Sequence, residues 1–231
     1  MTKVLAIDGP SGVGKGTVAR SVARALGWAY VDTGAMYRAV AWKVGRKALA
    51  IDDEDKVVAV AEASVFELDA SRTIIDGEDV TSLIRTPEID VASATVARMP
   101  RVRRALVARQ RDYAAAGPVV MEGRDIGTVV FPDAVVKLYL DATPEERASR
   151  RAKDPAHGLS RAGEIRVVAS ALATRDRLDR TRQASPLTRA DDAILIETTG
   201  VPALDVVARV LDIVRERLGD EPPVDSAKTN H

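Results

Sequence analysis

Apolar positions fall along this chain in two rhythms that alternate with each other. Val4–Ile7 is a short apolar run between Lys3 and Asp8-Gly9-Pro10, the pattern of a buried strand stopping at a loop. Thr17–Leu26 follows with helical spacing, placing Val18, Val22, Ala25 and Leu26 on one side, and Gly27 ends it. Ala29–Val31 is a second short strand, closed by Asp32-Thr33-Gly34 and followed by a helix from about Ala35 to Lys47. A helix over Asp52–Ala63 leads to three strand-like pieces, Val65–Leu68, Thr73–Asp76 and Asp79–Val80. Ala70-Ser71 and Gly77-Glu78 are turn material between them. These pieces predict a small antiparallel insert.

Beyond the insert the pattern predicts helices over Pro87–Ala97 and Pro100–Ala115, split at Met99-Pro100. Val119–Met121 is a strand running into Glu122-Gly123-Arg124-Asp125, and Val135–Leu140 is another. A helix from Pro144 is broken at 154–158, a long charged helix covers Arg161–Arg180, and Ala193–Ile196 and Pro202–Leu218 are the last strand and helix. A polar tail with two prolines follows and is expected to be disordered. Strands alternating with helices predict an α/β fold whose mostly parallel sheet is covered on both faces. Ligands of such sheets sit beyond the C-terminal strand ends, so Gly9–Thr17, Asp32–Thr33 and Glu122–Asp125 should meet on one edge.

Composition narrows this picture. The 231 residues suffice for one domain with insertions or two small ones, and 46% apolar residues can fill a core. Aromatics are only 3%, so that core must be aliphatic. Lys plus Arg equals Asp plus Glu at 34 each, so no overall field draws the chain to nucleic acid or to an anionic membrane. There is no cysteine, which excludes disulfides, thiolate metal sites and a cysteine nucleophile. The N-terminal stretch lacks the regions of a signal peptide, and no apolar run approaches the ~20 residues of a membrane span. A soluble cytoplasmic protein is expected.

Gly9-Pro10-Ser11-Gly12-Val13-Gly14-Lys15 has the glycine and lysine spacing of a P-loop. Glycines let successive backbone N–H groups turn inward, the following helix contributes its positive end, and Lys15 brings a mobile charge to the β- and γ-phosphates. The plain alternative is a glycine-rich strand-to-helix turn. Gly16 stands where a serine or threonine usually follows the lysine, and the hydroxyl comes one residue later, at Thr17. Thr17 is a candidate Mg2+ ligand, while nucleotide phosphates and water are the alternative holders of the metal. Asp32 has two readings as well. It could orient Lys15 or a metal-bound water, or it could cap the helix beginning near Gly34.

Arginine is concentrated at 98–104, 147–151 and 175–182, with Arg38 and Arg124 standing apart beside strand-end loops. The guanidinium fork matches phosphate oxygens, although many arginines are simply solvated surface charges. The chain carries, in order, Ile7-Asp-Gly-Pro-Ser-Gly-Val-Gly-Lys-Gly-Thr17, Asp32-Thr-Gly-Ala-Met-Tyr-Arg38, Gly77-Glu-Asp-Val80, Ile84-Arg85 and Pro100-Arg-Val-Arg103. Glu122-Gly-Arg-Asp-Ile-Gly-Thr-Val-Val-Phe-Pro-Asp133 comes next, then Arg175-Asp-x-x-Asp179-Arg-x-Arg182 and Ser185-Pro-Leu187. With these segments, which cover nearly the whole chain before the tail, the sequence resembles the bacterial cytidylate kinase family.

The resemblance implies a P-loop kinase fold with a parallel five-stranded central sheet, a β insert in the monophosphate-binding region and a short lid. It implies a discontinuous core (1–37, 116–146 and 166–218), a monophosphate-binding region at 38–115, a lid at 147–165 and a tail at 219–231. It implies a monomer that phosphorylates CMP and dCMP from ATP with Mg2+. By resemblance, Gly9–Thr17 bind ATP, and Lys15, Arg124, Arg147 and Arg151 are catalytic. Arg38, Arg124 and Arg175 hold the acceptor phosphate, Arg103 and Asp125 read cytosine, Asp179 and Arg182 hold the ribose, and Thr33 joins the CMP site. The family's base-contacting serine falls at Ala94 here, with Ser93 adjacent. Asp125 could instead only orient a neighbouring arginine. Ser11 shapes the loop backbone, and with His157 and His231 remote from the motifs no histidine base is expected. A phosphate nucleophile needs none, since its second pKa is about 6. The alternatives are a P-loop kinase for UMP, dTMP or shikimate, or a nucleotide-dependent switch.

Overall fold

The computed structural model describes the backbone of residues 3–153 and 162–219, and the side chains of 3–153 and 165–219. The expected helix breaker at 154–158, with His157, and residues 220–231, with His231, lie outside the described residues. Strand β1 (Val4–Asp8) is buried along its whole length. It lies between β6 (Val119–Gly123) and β7 (Val136–Asp141) in a five-stranded sheet of order β2-β6-β1-β7-β8. The outer strands are β2 (Ala29–Asp32) and β8 (Ile194–Glu197), and every pairing is parallel. A strand covered on both faces must be apolar at consecutive positions, and VLAI meets that demand.

The period of two sorts the β1 side chains between two cores. Leu5 and Ile7 pack with Val18 and Val22 of α1 (Lys15–Leu26) and with Val206, Val210 and Val214 of α8 (Ala203–Leu218). Val4 and Ala6 face the other way, onto Val119, Met121, Ile126 and Val130. A third core joins α2 (Thr33–Arg46), α3 (Glu54–Ala63), α4 (Pro87–Val96) and α5 (Pro100–Ala115) through Met36, Val40, Val57, Val96, Val102 and Leu106. Pro100 occupies the first turn of α5, where its missing N–H costs nothing. The antiparallel insert comprises β3 (Phe66–Leu68), β4 (Thr73–Ile75) and β5 (Glu78–Asp79). Asp76 and Gly77 both take positive φ, 52° and 80°, in the two-residue turn that joins β4 to β5. The insert seats Ile75 against Ala35 and Ala39 of α2.

Several boundaries shift by one or two residues from the sequence expectation. The third insert strand forms at Glu78–Asp79, β8 runs one residue later than expected, and α2 starts at Thr33 because Asp32 caps it. The stretch after Asp125, to which no element was assigned, forms a π-type turn over Ile126–Val130. Helices α6 (Pro144–Lys153) and α7 (Ala162–Thr181) complete the chain. No helix of the described residues is long and apolar enough to cross a membrane.

Parallel strands end on one edge, and the register is exact enough to align their last residues. Ile7 and Asp32 both pair with Glu122, and Asp8 pairs with Gly123. The loop after β1 then turns sharply at Gly9, with φ at 149° and an added Cβ falling 2.2 Å from the Leu140 carbonyl oxygen of β7. Backbone strain and overlap with a rigid strand act together there, so Gly9→Ala should cost at least about 2 kcal/mol. At this chain length the melting temperature should fall by roughly 5–10 °C in calorimetry. A melting point within a degree of the native protein would show that the loop relaxes around the methyl group.

Candidate active site

The loop from Gly9 to Gly14 leads into α1 through Gly14, which takes a left-handed conformation and has no side chain to cap the helix start. The first N–H groups of α1 are therefore available to an anion. Lys15 is buried, and its Nζ donates to the Pro10 carbonyl at 2.7 Å. Burial, with Arg124 nearby, lowers its pKa to about 7, against the pull of Glu122, Asp8 and Asp32. A triphosphate beside it would restore the full charge. The loop is braced from outside. Arg147 of α6 donates to the Ser11 carbonyl at 3.2 Å and pairs with Asp176 of α7. Arg150 donates to the Val13 carbonyl at 3.2 Å and to Thr198 Oγ1 at 3.0 Å.

The other half of the site consists of arginine–carboxylate pairs. Arg38 meets Asp32 at 2.8 Å, and Arg124 Nε meets Asp179 at 2.9 Å. Arg103 pairs with Asp125 and lies over the Tyr37 ring, 5.4 Å from its centroid. Arg182 stands 3.6 Å from both Asp125 and Asp179. Arg151 of α6 and Arg175 of α7, the latter at 3.2 Å, converge on Asp90 of α4. Burial alone would raise the pKa of Asp179, but Arg124, Arg182 and Arg175 outweigh it and hold the carboxyl below its ordinary range. Asp32 is depressed in the same way, with Arg38 and the Ala35 N–H overcoming its burial.

All of this surrounds one cleft of about 540 Å³. Ser11 to Thr17 line one end, and Asp32, Thr33, Arg38, Arg103, Arg124, Asp125, Arg175, Asp179 and Arg182 line the rest. Gly9 and Pro10 do not line the cleft, and neither does Arg147, whose guanidinium faces Asp176. Arg151 lines the cleft, and so do Arg85 and Arg150, which sequence reasoning left without roles. Ten cationic and five acidic side chains line the space, in a chain with equal totals of each. Such a surplus in a confined volume selects a polyanion. Among the described residues no three His, Cys, Asp or Glu side chains converge as a metal cage.

A sequence profile of the cytidylate kinase family matches residues 5–216. The cytidylate kinase of Geobacillus sp. is 44% identical over 220 residues, spanning 93% of this chain and 97% of that protein. The cytidylate kinase of Caldanaerobacter subterraneus is 46% identical over 224 residues, spanning 96% and 98%. The chain belongs to the cytidylate kinase family. An uncharacterized protein from Eubacterium ventriosum shares the fold at a TM-score of 0.50 with 11% identity, over 94% of this chain and 100% of that one.

Three carboxylates of this family member emerge only with the structure. Asp90 reads in sequence as an ordinary acid of a helix first turn, and nothing local shows that two distant arginines seek it. Glu122 begins a recognisable motif, yet its partner Tyr30, at 2.8 Å, is 92 positions away. Asp8 accepts from the backbone N–H groups of Ile126 at 2.8 Å and Gly127 at 2.7 Å. It therefore ties the strand carrying the P-loop to the turn carrying Arg124 and Asp125. Ser93, not Ala94, lines the cleft, its hydroxyl donating to the Asp90 carbonyl at 2.9 Å.

Burial raises the Asp8 pKa from 3.8 to about 6, against the two N–H donors. Between those values the folded protein keeps a proton that the unfolded chain has released, so ionisation of Asp8 removes stability as the pH rises through that window. A gap of about two pH units corresponds to roughly 3 kcal/mol. Asp8→Asn titrates nothing at this position. The unfolding free energy of the variant relative to the native protein should improve by up to that amount between pH 4 and 6.5. Denaturant titrations across the window that gave a constant difference would show Asp8 ionising normally.

Proposed function

We propose that this protein transfers the γ-phosphoryl group of ATP to CMP and dCMP, forming ADP with CDP or dCDP. The observation that carries the reading is the composition of the cleft: a P-loop at one end, a surplus of arginines in the middle and the buried Arg103–Asp125 pair at the other. In this reading Gly9–Thr17 hold the triphosphate and Lys15 faces the transferring group. Arg38, Arg124 and Arg175 receive the acceptor phosphate. Asp179 and Arg182 take the ribose, with Thr33 lining the same side. Arg151 reaches the phosphates from α6, and Arg147 acts by fixing the Ser11 end of the loop. A lid over 147–165, of which 154–161 lie outside the described residues, would close when both substrates are bound and limit attack by water. The monophosphate-binding region spans 38–115, which the separate core of α2 to α5 supports. Since the cleft is complete within one chain, a monomer suffices, and the cytoplasm supplies both nucleotides.

An oxygen of the acceptor phosphate attacks the γ-phosphorus in line, a new P–O bond forms, and the bond to the ADP oxygen breaks. The nucleophile is already anionic at neutral pH, so the protein aligns two phosphates and balances their charge. Mg2+, bound with ATP, would neutralise the β- and γ-oxygens. Thr17 lines the cleft and is one candidate ligand. Asp32 is another, through water, although its carboxylate already serves Ala35 and Arg38.

Cytosine offers an exocyclic amino donor to Asp125, whereas uracil would set a carbonyl oxygen against it. Ser93, whose hydroxyl lies beside the cleft, supports a second base contact one position before Ala94. A coupled ADP-release assay should show CMP and dCMP far ahead of UMP, dTMP and shikimate. ATP turnover that ignores CMP and yields no CDP would favour a nucleotide switch instead. Asp125→Ala should lower kcat/KM for CMP by about 10²-fold or more, and that for UMP far less. Equal losses for both acceptors would remove Asp125 from base reading.

A further inference from the structure

Asp90 stands in the first turn of α4, where an acid ordinarily complements the N–H groups of the helix start. A side-chain cap is already in place there, since Thr86 Oγ1 accepts from the Ile89 N–H at 3.3 Å. The Asp90 carboxylate turns to arginines of other helices. Its Oδ2 accepts from Arg151 of α6, and its Oδ1 accepts from Arg175 Nη1 of α7 at 3.2 Å. All three side chains line the cleft, and that of Asp90 is only 17% exposed. Helix α4 belongs to the apolar core of α2 to α5, whereas α6 and α7 meet through Ala148, Val168 and Leu172. One carboxylate thus joins two separately packed groups of helices.

Both of its partners are phosphate-binding groups in the kinase reading. A phosphate that met the same two guanidiniums would need the place this carboxylate holds. Arg175 has capacity left for such a ligand, because its Nε is buried with no hydrogen-bond partner among the described residues. Burial and the neighbouring Arg124 lower the pKa of Arg175, with Asp90 and Asp179 opposing them. Asp179 therefore supports the charge of Arg175 independently of Asp90. The influence of Asp90 extends to a third arginine. Burial disfavours the charge of Arg38, but Asp32 and then Asp90 outweigh it and push the pKa up.

We infer that Asp90 competes with the acceptor's phosphate for Arg151 and Arg175, and so weakens its binding. The competitor sets a threshold of charge. An acceptor group with a single negative charge gains nothing by replacing a carboxylate, whereas a phosphate dianion brings a second charge to the same guanidiniums. Asp90 is then a residue that tunes selection for a phosphate acceptor without taking part in the transfer. The inference rests on the kinase reading for which arginines meet the acceptor, but not on which base the acceptor carries.

The test uses the full chain with a non-hydrolysable ATP analogue filling the P-loop. Inorganic phosphate and, in parallel, CMP are titrated by calorimetry. Asp90→Asn keeps the shape and removes the charge. It should tighten both ligands by about fivefold, the worth of one partly screened ion pair. In an Arg175→Gln background the same change should tighten them by no more than about twofold, and an undiminished effect there would overturn the assignment in favour of long-range charge. A role confined to bracing α4 against α7 predicts weaker or unchanged phosphate binding with a lower melting temperature, and that result would overturn the inference. Tighter phosphate in a variant that binds no CMP would uphold the competition and refute CMP as the acceptor. Should the asparagine variant fail to fold, Asp90→Ala, which suits a helix, is read by the same outcomes.

Discussion

A charge removed from water must find an opposite charge, and that requirement organises the whole cleft. Nearly every arginine expected to meet a phosphate is already held by a carboxylate: Arg38 by Asp32, Arg124 by Asp179, Arg151 and Arg175 by Asp90. Left unpaired, each would face a desolvation penalty of several kcal/mol. The acids therefore act as stand-ins for ligand oxygens and keep the guanidiniums extended toward the space a nucleotide would fill. Phosphate binding in the proposed reaction becomes an exchange of anionic partners and not the ordering of loose side chains. Such pre-organisation lowers the entropic cost of aligning two polyanions.

The scaffold supplies the positions at which this exchange happens. Parallel strands with a fixed register place Asp8, Asp32 and Glu122 at one edge within two residue levels. Asp8 then spends both oxygens on backbone N–H groups of the turn after β6. Donor loop and acceptor turn are thereby linked through one buried carboxylate, and a shift in either would orphan two amides. The aliphatic cores on either side of the sheet explain why so few aromatics are needed. Tyr30 and Tyr37 are kept for contacts with Glu122 and Arg103 at the cleft.

Local pattern made the sheet, the insert and the phosphate loop legible, because each depends on residues adjacent in sequence. The run VLAI followed by glycines and a lysine carries its own geometry. Pairings across long separations were not legible. Arg147 reads like Arg151, four residues on, yet one meets Asp176 and the other faces the cleft on Asp90. The two lie one turn apart on the same face of α6, so which partner each meets depends on how α6 packs against α7 and the loop. The π-type turn over Ile126–Val130 has no local signature because its backbone is held by Asp8, 118 positions from Ile126.

Base reading and phosphate binding make different demands on the same kind of ion pair. At the phosphate end the arginines must change partners, so their carboxylates must be displaceable. Asp125 in the proposed reading must keep Arg103, because a buried carboxylate that lost its cation to a neutral base would be stranded. Its lone pairs allow both. Arg103 occupies Oδ2, whereas Arg182 stays 3.6 Å from Oδ1, beyond a good hydrogen bond. Oδ1 can then accept an amino hydrogen without breaking the pair. A carbonyl oxygen in that place would meet a carboxylate whose only strong donor is already committed. In the proposed reading, discrimination between two bases of equal size would follow from how the cleft distributes its hydrogen bonds.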